Sequence, residues 1–351
     1  MPAAAMLEAP AELPVAQERD AAGVDEDFAN ELLPVEHLMT LGVNAADLKK
    51  ARDAGFCTVD SIVNAMRRDL INVRGLSENK AEKIVDAAKK CTSSAGASFL
   101  TATEFQARYH ANILRIGTGC EAFNEMLGGG IETRSITELY GEFRTGKTQL
   151  CHTLAVTCQL PCDAGGAEGM AVIVDTEGTF KPERLAPIAE RFGLDPEGVI
   201  SNVMITRPYN SEQFMERIEA LTALLIEKPV RLILVDSIMA LYRADFQGRG
   251  QLAERQMKLN AVLSRLKKVA EEFGVAVLLT NQVMAVPDAM AMVNYPKAVG
   301  GHILAHASTT RIFMRKGRGD NRVAKLEFAP MLPPGECTFT IQAGGIFEGT
   351  D

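Results

Sequence analysis

No window of this 351-residue chain is apolar enough to span a bilayer, so a membrane-spanning helix is not expected. A basic excess is missing as well. The 37 Lys and Arg residues face 45 Asp and Glu, for a net charge of −8, which argues against an all-over basic nucleic-acid binder while leaving local patches open. Cys-x-x-Cys pairs are absent: the seven cysteines are scattered, and Cys158 and Cys162 have no matching pair of ligands downstream. That pattern points to a reduced, intracellular chain with buried or inert thiols. Met1 to Pro14 is rich in alanine but lacks a basic n-region and a long apolar run, so no signal peptide is expected. Hydrophobic residues make up 47%, enough for a substantial core in one large or two smaller domains.

What is present is organised around Gly141-Glu142-Phe143-Arg144-Thr145-Gly146-Lys147-Thr148, which fits the pattern G-x-x-x-x-G-K-[ST]. Ile136 to Tyr140 reads as a strand before it, and Gln149 to Leu160 as a helix after it. The glycines let the backbone curl around phosphate oxygens, and successive N–H groups at the helix N-terminus face the anion. Lys147 supplies a point charge near the β- and γ-phosphates, and the Thr148 hydroxyl is the expected Mg²⁺ ligand. Three further apolar runs suit a parallel sheet buried on both faces: 171–175, 232–236 and 276–280. Their carboxyl ends deliver Glu177, Asp236 and Gln282, on the side of such a sheet where ligands sit. Asp236 suits a magnesium ion; Glu177 suits orienting or deprotonating a water that attacks the γ-phosphate. Gln282 suits a γ-phosphate sensor that orders the segment after it. The blander readings are a turn-capping acid, an exposed loop carboxylate and a strand-end amide. Helices are predicted over 182–192, 211–227 and 252–273, and closing strands over 310–314, 323–328 and 338–341.

Residues 1–33 form an acidic, Ala- and Pro-rich segment with Arg19 as the sole base, read as a disordered tail. Residues 34–90 read as short helices around a small core that includes Leu38, Leu41, Leu48, Ile62, Met66, Leu70 and Ile84. Val73-Arg74-Gly75-Leu76-Ser77 has the look of a helix-hairpin-helix turn whose amides can hold a DNA phosphate, with Lys80, Lys83, Lys89 and Lys90 adding charge. On these residues a plain protein-interaction module fits equally well. Residues 91–105 read as a linker ending in Phe99-Leu100-Thr101-Ala102, and the rest, 106–351, as a βα-alternating core. Phe99 and Ala102 suit docking on a neighbouring subunit, although the residues alone favour a phenylalanine folded onto its own core. Two long loops follow core strands. One spans about Ala240 to Gln251, with Arg243 and Arg249 flanked by glycine; the other spans Val283 to Gly301 and holds Lys297. Arg315 to Gly319 is a second basic cluster.

Taken together, GEFRTGKTQ (141–149), DTEGTF (175–180), LVDSIMALYR (234–243), GRG (248–250), TNQ (280–282) and GGHILAHASTTR (300–311) resemble the eukaryotic RecA/RadA-type strand-exchange recombinases, the meiosis-specific member more than its general-repair paralogue. The resemblance covers roughly Pro34 to the C-terminus. It implies an α/β fold: a RecA-like P-loop ATPase core with a mainly parallel sheet, plus a small all-α helix-hairpin-helix domain. It also implies ATP and Mg²⁺ as cofactors, a nuclear DNA-dependent ATPase coupled to strand exchange, single- and double-stranded DNA as partners, homo-oligomers as filament or ring, and accessory mediator proteins. Residues 141–149, including Gln149, would bind nucleotide, with Arg184 stacking on adenine and His306 and Pro333 contributing from the subunit interface. Arg243, Arg249 and the second loop with Lys297 would hold the primary strand; Arg144, Arg315 and Lys325 would form a second DNA site. Phe99 and Ala102 would insert into the next protomer. Phe328 stands where the family usually has an aspartate that caps the neighbour's nucleotide. A general-repair recombinase, a RecA-core ring helicase and a non-catalytic assembly partner are the rival readings.

Overall fold

A computed structural model describes residues 32–91, 99–284 and 297–350. The acidic tail, the Ser-rich part of the linker and the Met-rich part of the second loop lie outside the described residues.

Residues 34–91 form a helical unit with its own core. A 3₁₀ turn, Val35–Leu41, is followed by helices Ala45–Asp53, Val59–Val63, Arg67–Ile71 and Glu78–Cys91. Val35, Leu38, Leu48, Ile62, Leu70 and Ile84 meet at its centre. Leu41 and Met66, expected in that core, are 45% and 58% exposed, because each sits where the chain leaves one short element for the next. The expected hairpin lies between the last two helices, with Gly75 in the left-handed region at φ 81°. Lys80 turns to Asp47 at 2.9 Å, so one of the cations expected to serve the hairpin is paired inside the unit. The unit rests on the core through Thr58, which donates to Glu272, and through Arg265, which donates to the Gly55 carbonyl at 3.1 Å.

The larger unit is built on a nine-stranded sheet. In chain order its strands are β1 (Ile136–Gly141), β2 (Met170–Asp175), β3 (Val203–Thr206), β4 (Val230–Asp236), β5 (Ala276–Asn281), β6 (Thr310–Lys316), β7 (Arg322–Phe328), β8 (Gly335–Gln342) and β9 (Gly345–Glu348). Their spatial order is β9-β8-β7-β6-β1-β5-β4-β2-β3. The six strands from β6 to β3 are mutually parallel, and β7, β8 and β9 extend the sheet antiparallel. The apolar runs are continuous because each face is covered. Ile173, Leu234 and Leu278 enter one core, against helix Lys147–Thr157. Val174, Val235 and Leu279 enter the other, against helices Ser211–Glu227 and Leu252–Phe273.

Two expectations change. The first long loop is not a loop over its first half: Ala240–Asp245 is a helix whose Leu241 and Tyr242 are buried. The glycines that suggested a loop begin only at Gly248, and nothing before them breaks a helix. The stretch read as linker already turns helical at Ala102, where Thr101 caps helix Ala102–Ala111 in a reciprocal box with Glu104. Among the described residues, all cysteines are free and only Cys162 is exposed, Cys91 being half-buried. No helix among them is long and apolar enough to cross a membrane.

Candidate functional site

The carboxyl ends of β1, β2, β4 and β5 open into one cavity of about 740 Å³, lined by all of Gly141 to Gln149 together with Glu177, Asp236 and Gln282. The sheet order dictates this: β1, β5, β4 and β2 are neighbours and point the same way.

The P-loop is shaped by backbone demands. A Cβ on Gly141 would lie 2.1 Å from the Met314 carbonyl oxygen of β6, so only glycine lets the loop leave the sheet there. Gly146 at φ 103° directly precedes helix Lys147–Thr157, and its own Cβ would meet Ile341 at 2.9 Å. Arg144 takes a left-handed φ of 64° that side chains rarely adopt, and its carbonyl is held by Arg322 Nε at 3.1 Å. Lys147 Nζ donates to the carbonyls of Gly141 and Glu142 at 2.9 and 2.8 Å, which aims it along the loop. Burial lowers its pKa, while the carboxylates of Asp236 and Glu177 oppose that shift.

Asp236 lies at the centre of the oxygen donors. Thr148 Oγ1 donates to Oδ2 at 2.7 Å, and Thr280 Oγ1 donates to Oδ1. Burial pushes this carboxyl up and the two hydroxyls push it down. A hydroxyl and a carboxylate side by side at a helix N-terminus are the hard oxygen set that Mg²⁺ takes when it also holds phosphate. The cavity's volume suits a nucleoside triphosphate. The residues therefore fit both groups.

Glu177 is held from two sides. Its Oε1 accepts from Ser237 Oγ at 2.7 Å and from Gln282 Nε2 at 2.9 Å. Gln282 in turn accepts from the Arg243 guanidinium. The strand-end acid, the amide and the arginine of helix Ala240–Asp245 thus form one hydrogen-bonded chain. Sequence reading named all three but did not join them.

Three supports were missed. Asp175, 1% exposed, accepts from the amides of Gly178 and Thr179 on one oxygen and from Phe180 and Arg207 on the other, so the loop carrying Glu177 is wound around it. An acid three residues before a glycine at a strand end is the available signal. His152, one turn beyond Thr148, stacks on Phe180 at 4.3 Å, accepts from the Lys181 amide through Nε2 and faces the Thr148 carbonyl through Nδ1. Those partners require the proton on Nδ1, and burial lowers its pKa. Arg322 lines the cavity beside Arg144. A lone arginine just past the Arg315–Gly319 cluster carries no sequence signal of its own.

Other expected residues lie outside the cavity. Arg184 donates to Gln149 at 2.9 Å and to the carbonyls of Gln342 and Ala343, at the rim. His306 is exposed on helix Gly301–Ala307, and Pro333 is exposed before β8. Arg315 pairs with Glu336 at 2.9 Å, and Lys325 stands opposite Glu336 in the β7–β8 register. Lys297 is exposed on a two-residue ribbon opposite Met284. Arg249 opens a single 3₁₀ turn; its side chain lies outside the described residues. Phe99 is fully exposed, not folded onto its own core, and Ala102 is exposed at the start of its helix.

A strand, P-loop and helix on this sheet order, with acids at the neighbouring strand ends, define a P-loop protein with a RecA-like core and a separate helix-hairpin-helix unit. The Rad51 family model matches residues 109–349, and a SAM-like helix-hairpin-helix tandem model matches 38–90. The chain belongs to the Rad51 family. It is 49% identical over 320 residues to the meiotic recombination protein DLH1 of Candida albicans, covering 90% of this chain and 98% of that one. It is 45% identical over 346 residues to a meiotic recombination protein DMC1 homolog of Lilium longiflorum, covering 98% and 97%. A DNA repair protein RAD51 homolog B of Zea mays is 48% identical over 320 residues, covering 91% and 93%.

Proposed function

We propose that this chain is a nuclear, ATP-dependent strand-exchange recombinase of meiosis, coating single-stranded DNA as a filament and pairing it with homologous duplex. The meiotic names of its relatives support the setting; the maize repair homologue supports a share in double-strand break repair. The observation that carries the reading is the chain Arg243–Gln282–Glu177, in which one side chain links the arginine proposed to hold DNA to the acid proposed to activate water. The exposed Phe99–Ala102 segment and the N-terminal helical unit argue against a ring helicase, and an unwinding assay separates the two.

In this reading the P-loop amides and Lys147 bind the triphosphate, and Thr148 with Asp236 would hold Mg²⁺, which supplies charge neutralisation for the phosphates when bound. Arg184, hydrogen-bonded to Gln149 at the rim, would stack on the base. Glu177, steadied by Ser237 and Gln282, orients a water and takes its proton. His306 and Pro333 act from the face of the next protomer. Arg243, Arg249 and Lys297 hold the first strand, and Arg144, Arg315 and Lys325 hold the incoming duplex, mostly through phosphates and hence in a salt-sensitive way. The helix-hairpin-helix unit adds weak duplex binding, and mediator proteins load the filament.

The test is a strand-exchange assay with ATP, ADP or no nucleotide. Joint molecules are expected with ATP alone; equal yields in all three would refute the reading. A second expectation concerns Asp175. Asp175→Asn turns an amide N–H toward donors on one side, leaving about 1–3 kcal/mol of unmet hydrogen bonding in the Glu177 loop. ATP turnover should fall by about 10- to 100-fold while nucleotide affinity stays within about twofold, because no P-loop contact changes. Unchanged turnover would show that the loop does not depend on this carboxylate.

A further inference from the structure

Behind the nucleotide cavity lies a buried polar group that the proposed chemistry does not use. Glu138 on β1 has no exposed surface, and neither has Asn281 at the end of β5. Glu138 accepts from Arg311 Nε of β6 at 2.7 Å and from Asn281 Nδ2 at 2.8 Å. Burial lowers the Arg311 pKa, and the Glu138 carboxylate, with smaller help from Tyr140 and Glu327, turns the net shift upward. Arg311 and Glu138 form an ion pair inside the sheet, and the carboxylate anchors the asparagine.

Asn281 spends its remaining capacity on the chain beside it. Nδ2 also donates to the Val299 carbonyl at 2.7 Å, and Oδ1 accepts from the Gln282 amide at 2.8 Å. The Val299 amide donates to the Gln282 carbonyl at 2.9 Å, and Val283 and Met284 then pair with Ala298 and Lys297. Only one orientation of the amide satisfies an N–H on one side and two oxygens on the other. One side chain thus ties both strands of the second loop's neck to a charged pair inside the sheet. The neck's first residue is Gln282, the contact of both Glu177 and Arg243.

We propose that Asn281 is a positioning residue that fixes Gln282 to the neck at 283–284 and 297–299, so that a polynucleotide held at Arg243 and Lys297 changes ATP turnover through Gln282. This rests on the recombinase reading. Backbone pairing already holds β5 to β1 and β4, and Arg311 already neutralises Glu138, so the asparagine is not required to assemble the sheet. Its distinctive bonds are those to Gln282 and Val299.

The test is Asn281→Leu, which keeps the γ-branched outline at a larger volume and removes the clamp's hydrogen bonds. The factor by which single-stranded DNA raises ATP turnover is expected to fall toward one, with KM for ATP within about twofold. Retained stimulation in the folded variant overturns the proposal. Parallel loss of DNA-free and DNA-stimulated turnover also overturns it, because that is what general loosening produces. Should the variant not fold, hydrogen exchange on the unaltered protein decides: the Gln282 and Val299 amides are expected to be protected without DNA, and exchange as fast as an open loop overturns the clamp. If the unaltered protein shows no DNA stimulation while these amides are protected, the recombinase reading fails and the clamp stands.

Discussion

Lys147→Ala is expected to reduce ATP binding below detection in a calorimetric titration while leaving the thermal unfolding midpoint within a few degrees. The ammonium makes charge-assisted hydrogen bonds to phosphate in the proposed complex, each of about 1.5–3 kcal/mol. Losing two of them costs about two to four orders of magnitude in affinity. The fold should tolerate the change because the Lys147 hydrogen bonds all go to P-loop residues, two to carbonyls and one to Thr145 Oγ1. Removing a half-desolvated cation also removes the burial cost that lowers its pKa. Asp236 and Glu177 lose a nearby positive charge, but each keeps its hydroxyl donors. Affinity within about threefold of the unaltered protein would mean that this loop is not the phosphate site, since no other lysine among the described residues lines the cavity.

The parts of this protein that were legible in its sequence are those set by local rules. Helices Ser211–Glu227 and Leu252–Phe273 were read to the residue because their ends carry punctuation: the Asn210 side chain accepts from the Gln213 amide, and Gly274 closes the other helix in a left-handed conformation. The central strands were legible because burial on both faces leaves an unbroken apolar run. By contrast β3 is four residues long, half-exposed and at the sheet edge, so it offered no run to see. The cavity residues were found one at a time because each follows a strand. Their connections were not, since hydrogen bonds such as Gln282 to Glu177 join residues more than a hundred positions apart. Asp175 and Asn281 were read past for the same reason: each acts by gathering backbone groups, and which groups come within reach is decided by the path of the chain. The first loop was misjudged because Gly248 and Gly250 drew attention from Leu241 and Tyr242, whose burial makes the preceding stretch helical.

Phe99→Glu is expected to convert filaments to monomers, read by electron microscopy and light scattering in the presence of ATP and single-stranded DNA. An unattached phenylalanine this exposed gains about 2–3 kcal/mol when covered, and none of the described residues covers it. A surface whose chemistry would suit it lies on the far edge of the sheet. There β3 has no outer neighbour among the described strands, Ile205 is 46% exposed and Tyr209 is 77% exposed. An extended Phe99–Ala102 segment laid along such an edge gains backbone hydrogen bonds as well as apolar cover. The segment and the edge are different surfaces of one molecule, so the contact repeats head to tail and need not close. Glutamate at position 99 replaces an apolar anchor with a charge that must stay hydrated, which turns the gain into a cost of several kcal/mol. Helix Ala102–Ala111 is capped by Thr101 and Glu104, not by Phe99, so the monomer should remain folded. The same variant should lose DNA-stimulated ATP turnover, because in the proposed filament His306 and Pro333 would reach a nucleotide only across that contact. Filaments of normal length from the Phe99→Glu protein would remove this segment from the assembly and place the protomer contact elsewhere.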